Sequence, residues 1–273
     1  MTGKSEWQDR VGKAWAQSWQ LTDRSFAGLT GELLHVIAAL PGSRVADIGC
    51  GAGELSLALS RQRPEAQIIG VDVSPDLVEM ANDRAGPNSA ARFLCADAAS
   101  WEPEGFAPDL YVSRHGVMFF DDPVAAFTHL RTISAPDARL AFSCFRSREE
   151  NPWMTGLAAL LPGVPAPTDP YAPGPFAFAD PERISDILTQ AGWSGIRIEP
   201  CDFAYVAGSG DEAEAQAADF FARIGPLAPV IRQLHGEARK VLADRLAGWI
   251  RRNAREGVVA FAAAAWIVTA RRD

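Results

Sequence analysis

Apolar and polar positions follow two periods along this chain. Trp7, Val11, Trp15 and Trp19 recur every four residues, which places them on one helical stripe and predicts helix within residues 7–40. A second helical segment, Leu29 to Leu40, stops at Pro41-Gly42. From Arg44 the rhythm changes. Short apolar runs at Arg44–Ile48, Gln67–Val71, Arg92–Cys95, Asp109–Ser113, Arg139–Phe145 and Ile196–Phe203 read as strands. Between them Glu54–Arg63, Pro75–Ala85, Pro123–Ile133 and Pro181–Ala191 read as helices, several with proline in the first turn. This alternation predicts an α/β fold, a Rossmann-like doubly wound sheet joined by right-handed crossovers.

Two segments break the rhythm. Residues 146–178 carry seven prolines with Trp153, Tyr171, Phe176 and Phe178, too much proline for a long helix or a sheet strand. A loop of this length in a compact domain is usually functional or disordered, and its aromatics argue for a lid. Residues 211–252 hold Phe220, Ile224, Leu227, Ile231, Leu234, Leu242, Leu246 and Ile250 at helical spacing, predicting two or three inserted helices before a last strand at Val258–Thr269. The expected division is an N-terminal helical cap (1–43), a core (44–145), the proline-rich lid (146–178) and a C-terminal part (179–273) with the helical insertion.

Composition narrows the function. The 273 residues are 48% hydrophobic, ample for one domain with embellishments. A formal charge of −8 without a basic arm argues against a nucleic-acid partner and mildly favours a cationic or neutral ligand. The polar start MTGKSEWQDR lacks a signal-peptide core, and the longest apolar run, Val258 to Val268, is about half a membrane span, so a cytoplasmic protein is expected. Cys50, Cys95, Cys144 and Cys201 stand singly. They signal no zinc site or disulfide framework, leaving a thiol cluster near the strand ends or ordinary small apolar residues. No metal is expected. The GKS at 3–5 lacks the glycine and strand of a phosphate loop.

The first strand runs into VADIGCGAG, residues 45–53. Glycines there permit a tight turn and close approach of a ligand to the main chain, and the following helix offers free N–H groups. A dinucleotide fingerprint would be G-x-G-x-x-G, but the sixth position is Glu54. Asp47, two places upstream, would repel a diphosphate and suits an ammonium or sulfonium group. Asp72, ending the second strand in GVDVS, can accept both hydroxyls of a ribose, which either cofactor class would use.

With Asp97 in LCADAA and the stretch PDLYVSRHGVMFFDDP, these motifs resemble the class I S-adenosylmethionine-dependent methyltransferases, and within them the small-molecule group that includes ubiquinone and menaquinone C-methyltransferases. ENPWM, PFAFADPERI, IGPLAP and AAWIVTARR look like one bacterial branch of that group. The resemblance implies a seven-stranded sheet whose last strand is antiparallel, S-adenosylmethionine as methyl donor and S-adenosylhomocysteine as product. It further implies that Gly49, Cys50, Gly51 and Gly53 line the methionine and ribose, that Asp47 orders the amino-acid end, and that Asp72 takes the ribose. Val73 would pack on the adenine, Asp97 and the Ala98 N–H would meet its edge, and Ser113 and Arg114 would flank the transferring methyl. Trp15 and Trp19 would close over the cofactor, with plain packing as the alternative.

His115 follows the fourth strand, where imidazole is the natural base near neutral pH, or else a packing residue. Met118, Phe119, Trp153, Met154, Tyr171 and Phe176 are expected to wall an acceptor cavity, with Arg146 and Arg148 able to pair a carboxylate or else solvated at a hinge. Such walls suit an apolar or aromatic small molecule. Methyl transfer from a sulfonium mainly needs alignment, so a base is required only for a protonated nucleophile. Two other readings stand beside this one, a binding module of the same fold without catalysis and an NAD-dependent oxidoreductase. Monomer and homodimer are equally open.

Overall fold

The computed structural model describes residues 4–87, 89–161 and 169–273. Five strands run parallel, β1 (Arg44–Ile48), β2 (Gln67–Asp72), β3 (Ala91–Cys95), β4 (Leu110–Arg114) and β5 (Arg139–Phe145), in the spatial order β3-β2-β1-β4-β5. The sheet continues through two long strands, β6 (Ser194–Ser209), which runs in the direction of the first five, and β8 (Val258–Arg271), which is inserted antiparallel between β5 and β6. A two-residue strand, β7 (Ala254–Arg255), forms a hairpin with β8. The order of the strands reverses between β1 and β4, so the crevice beyond their carboxyl ends is where this architecture places a ligand.

The helices are α1 (Lys4–Trp7), α2 (Arg10–Gln17), α3 (Trp19–Ala38), α4 (Glu54–Gln62), α5 (Pro75–Ala85), α6 (Pro123–Ile133), α7 (Pro152–Ala159), α8 (Pro181–Gln190), α9 (Ala213–Arg223), α10 (Leu227–Gln233) and α11 (Gly236–Asn253). Three of them open with the same local chemistry. Ser74, Asp122 and Asp180 each cap a helix whose first residue is proline, their side chains accepting from Leu77, Ala125 and Glu182 N–H groups. Such a cap stabilises by about 1 kcal/mol, and proline at the first position gives up an N–H that has no partner there.

The tryptophan stripe at 7–19 belongs to three helices rather than one. The helix breaks at Gln8-Asp9 and again at Ser18, so Trp7, Trp15 and Trp19 reach the cavity from different segments. Gly12 makes this possible, because α2 lies so close to the start of α5 that a Cβ there would sit 2.0 Å from Ser74 Oγ.

The proline-rich stretch also differs from its expectation. Pro152 occupies the first turn of α7, and Trp153, Met154 and Leu157 are buried, as are Phe176 and Phe178. The aromatic side chains of the described part, Tyr171 apart, are therefore packed wall. Residues 162–168, with three of the prolines, lie outside the described residues. Asn151 anchors the wall: its amide donates to Arg146, Ser147 and Ala264 carbonyls, while its Oδ1 accepts from Trp153 Nε1 and Ala264 N–H. Strand β6 outruns its predicted end at Phe203 by six residues, carrying Tyr205 into the interior.

Candidate functional site

A cavity of about 420 Å³ opens beyond the carboxyl ends of β1, β2 and β4. The turn after β1 forms its floor. Gly49, Gly51 and Gly53 all have positive φ, at 66°, 54° and 85°. Their surroundings divide their roles. A Cβ on Gly49 would come within 2.7 Å of Gly116 Cα, so the turns after β1 and β4 touch backbone to backbone. A Cβ on Gly51 would meet nothing within 4 Å, because the space above it is the cavity. Gly53 does not line the cavity. A Cβ there would meet Phe93 at 2.8 Å, so this glycine lets α4 begin against the sheet.

Four acids surround the floor. Asp47 is 1% exposed, with Oδ2 accepting from Ser56 Oγ at 2.6 Å and Oδ1 buried without a partner. Burial pushes its carboxyl up to about 6, against the pull of Ser56 and Arg114. Asp72 accepts from Gly51 N–H and Ser74 N–H, both at 2.9 Å, and its carboxyl is raised by burial. Asp97 accepts from Ala99 N–H at 3.0 Å and from Lys4 Nζ at 2.6 Å. Burial works to raise its carboxyl, but Lys4 and the Ala99 N–H outweigh it and hold it below the usual range. Asp23 of α3 pairs with Arg84, and burial still raises it. Cys50 lies among these acids, and burial followed by their charges pushes its thiol well up, so it stays protonated.

The opposite end is aromatic. Phe26, Phe145, Trp153, Tyr205 and Phe221 line it with Met118, Phe119 and Met154. Trp153 and Tyr205 stack at 4.6 Å and 5°, which fixes both rings. Arg114 and His115 sit between the two ends. Arg114 pairs with Glu54, donates to Thr30 Oγ1 at 3.0 Å and lies over the Phe26 ring. His115 holds φ 61° and its Nδ1 is 2.8 Å from Ser143 Oγ. Trp7 closes the roof, edge-to-face with Phe119 and tilted against Trp15, and Arg84 lies 3.9 Å over Trp19.

Most residues singled out in the sequence meet at this cavity: Trp15, Trp19, Asp47, Gly49, Cys50, Gly51, Asp72, Val73, Asp97, Ala98, Arg114, His115, Met118, Phe119, Trp153 and Met154. Five others stand elsewhere. Gly53 supports the turn, as described. Ser113 is fully buried, donating to Ile48 O and accepting from Gly116 N–H, so it ties the ends of β1 and β4 together. Arg146 pairs with Glu150 and Asp202 outside the cavity. Phe176 is buried behind Phe145 and under Arg148, and Tyr171 is 46% exposed beneath Arg183. Sequence reasoning passed over Asp23, Phe26, Tyr205 and Phe221. The helical run of α3 carries the first two, but no motif marks which of its turns meets the sheet.

The lining thus carries six carboxylates, Asp23, Asp47, Asp72, Asp97, Asp121 and Asp122, against the cations Lys4 and Arg114, each of which is already paired. A cationic ligand is favoured at the acidic end. The orphaned Asp47 Oδ1 and the open space over Gly51 fit an ammonium-bearing cofactor brought against the backbone.

Comparison with known proteins agrees with this geometry. Residues 45–137 match a family described as a methyltransferase domain. Trans-aconitate 2-methyltransferase of Methylobacterium radiotolerans is 32% identical over 148 residues, covering 53% of this chain and 55% of that protein. The enzyme of the same name from Variovorax paradoxus is 32% identical over 119 residues, 44% of this chain and 45% of the other. The chain therefore spans about half the length of the curated relatives it matches. Among solved structures, magnesium protoporphyrin IX methyltransferase from Synechocystis PCC 6803 with bound S-adenosylhomocysteine aligns with TM-score 0.53 and 16% identity, over 99% of this chain and 98% of the other.

Proposed function

We propose that this chain, whose residues 45–137 match a methyltransferase domain, is a class I S-adenosylmethionine-dependent methyltransferase that transfers a methyl group to a small aromatic or apolar molecule. The observation that carries the reading is one cavity with an acidic end at the glycine turn and an aromatic end at Phe145, Trp153 and Tyr205. S-adenosylmethionine supplies an activated methyl on a sulfonium with a good leaving group. In this reading Asp47 receives the ammonium through Oδ1, Asp72 the ribose hydroxyls, and Asp97, with Val73 and Ala98, the adenine. Asp97 would exchange or share its Lys4 contact. Arg114, neutralised by Glu54, holds Phe26 in place beside the transfer path.

The aromatic walls align the acceptor and exclude water. Alignment of two reactants can supply about 7–11 kcal/mol of a barrier, so a rigid stack such as Trp153 on Tyr205 has a direct mechanistic use. A carboxylate-rich acceptor like the trans-aconitate named for the curated relatives fits less well, since both lining cations among the described residues are already paired. The resemblance to quinone C-methyltransferases favours the same aromatic reading. On this view Trp153, Met154 and Pro175 of the stretch expected as a lid form the acceptor wall together with Phe221 of α9.

Incubation with methyl-labelled S-adenosylmethionine and a panel of neutral aromatics and polycarboxylates tests the proposal. Label transferred to neutral aromatic compounds is expected. Label confined to polycarboxylates would overturn the acceptor class, and cofactor binding without transfer to any host metabolite would favour a binding module.

A further inference from the structure

His115 is half-buried, and the groups around its ring fix its protonation. Its backbone takes the left-handed region, its N–H donates to Ser143 O at 3.1 Å, and its ring forms part of the cavity wall between Phe145, at a centroid distance of 4.1 Å, and Phe26, at 5.3 Å. Nδ1 lies 2.8 Å from Ser143 Oγ. Nε2 is closed to solvent and has no partner.

Proton counting chooses the tautomer. Ser143 is fully buried, and among the described residues its hydroxyl has one recorded partner, His115 Nδ1. If Nδ1 carried the hydrogen and donated it, the serine hydrogen and the Nε2 lone pair would both be stranded in an apolar interior. If the serine donates to Nδ1, only the Nε2 hydrogen is stranded. Each unmet buried polar group is costly, so the second arrangement is preferred. The cation is excluded as well, since burial, followed by the neighbouring Arg114 charge, holds the imidazole well below its ordinary range.

We infer that His115 is a neutral hydrogen-bond donor whose covered Nε2–H meets an oxygen of the methyl acceptor when the side chains over it shift, and that the acceptor therefore carries a carbonyl, enolate or phenolate oxygen on an apolar ring system. This rests on the methyltransferase reading above and sharpens its substrate class. It also removes His115 from the role of general base, because its one lone-pair nitrogen is already engaged by Ser143. An acceptor that reaches the site as an oxyanion needs no base, and a neutral donor stabilises that charge without repelling the sulfonium. Phe26 and Phe145 pack against the ring and keep the bond dry.

Two measurements test this. Nitrogen-15 NMR of histidine-labelled protein, with His115 assigned by the signal that Ser143→Ala perturbs, should show hydrogen on Nε2 and a bare Nδ1 from pH 5 to 8. A hydrogen on Nδ1, or a titrating ring, would overturn the inference. The second uses 2-acetylnaphthalene and 2-ethylnaphthalene as probes with protein saturated in S-adenosylhomocysteine. The preference for the ketone should fall about three- to tenfold in His115→Phe, the worth of one hydrogen bond. An unchanged preference would contradict it. If His115→Phe does not fold, or neither probe binds, the tautomer decides alone. Failure of S-adenosylmethionine to bind would overturn the methyltransferase reading and leave the tautomer result standing.

Discussion

Asp47 links the acidic end of the cavity to a measurable pH dependence. Its carboxyl is buried, uses one oxygen on Ser56 and leaves the other bare. Its value of about 6 lies about two units above that of a free aspartate. The sign follows from the folded group holding its proton longer than the unfolded one. Its contribution to stability is full below about pH 4 and is lost as pH rises through about 6, in total ~3 kcal/mol at most. An arriving ammonium reverses this preference, because it needs the ionised carboxylate. With a midpoint near 6, roughly a tenth of the protein is competent at pH 5 and nine-tenths at pH 7, so affinity for S-adenosylmethionine should rise about tenfold across that window. Asp72 is also raised and adds to the slope. Asp47→Asn keeps the shape, and losing a charge-assisted hydrogen bond of ~1.5–3 kcal/mol should weaken binding about ten- to a hundredfold and flatten most of the pH response. Isothermal calorimetry at pH 5, 6 and 7 on both proteins reads this directly. A wild-type affinity that does not change with pH, or an unaltered slope in the variant, would refute the reasoning.

Other substitutions separate binding from folding. Gly51→Ala should lower S-adenosylmethionine affinity at least tenfold while thermal unfolding shifts by only about 1 kcal/mol of left-handed strain, whereas Gly49→Ala, aimed at Gly116 Cα, should lose stability as well. Asp72→Asn should weaken cofactor binding at least tenfold, and its loosened hold on the Gly51 and Ser74 N–H groups should appear as about 1–3 kcal/mol in denaturant titration. Asn151→Ala strands the Trp153 and Ala264 N–H groups, while Ala264 O keeps the Arg146 N–H, so a loss of about 2–4 kcal/mol and a blunted Trp153 near-ultraviolet dichroism are expected. Lys4→Ala breaks a partly exposed pair and should change stability by less than ~1 kcal/mol.

The parallel half of the fold was legible because its signals are local. Proline after a capping residue marked α5, α6 and α8 to within a residue, and short apolar runs marked β1 to β5. The antiparallel half was less legible because its cause is distant. Residues 204–209 of β6 have no alternation of their own and are held extended by pairing with β8. The same holds at the site. Turn chemistry singled out Asp47, Gly51 and Asp72, whereas Phe26 and Tyr205 reach the cavity through packing that no spacing encodes. Arg146 and Tyr171 looked like acceptor contacts by position in the chain, but Arg146 is engaged by Glu150 and Asp202, and Tyr171 faces outward. Gly53 and Gly49 share one motif, and only the space around each tells support from floor.

The central claim is that one acid-lined cavity receives a cationic adenosyl cofactor. Calorimetric titration with S-adenosylmethionine, S-adenosylhomocysteine and NAD tests it most directly. Saturable one-to-one binding of the first two, with no heat from NAD, is the predicted result. Tight NAD binding without S-adenosylmethionine binding would contradict the account.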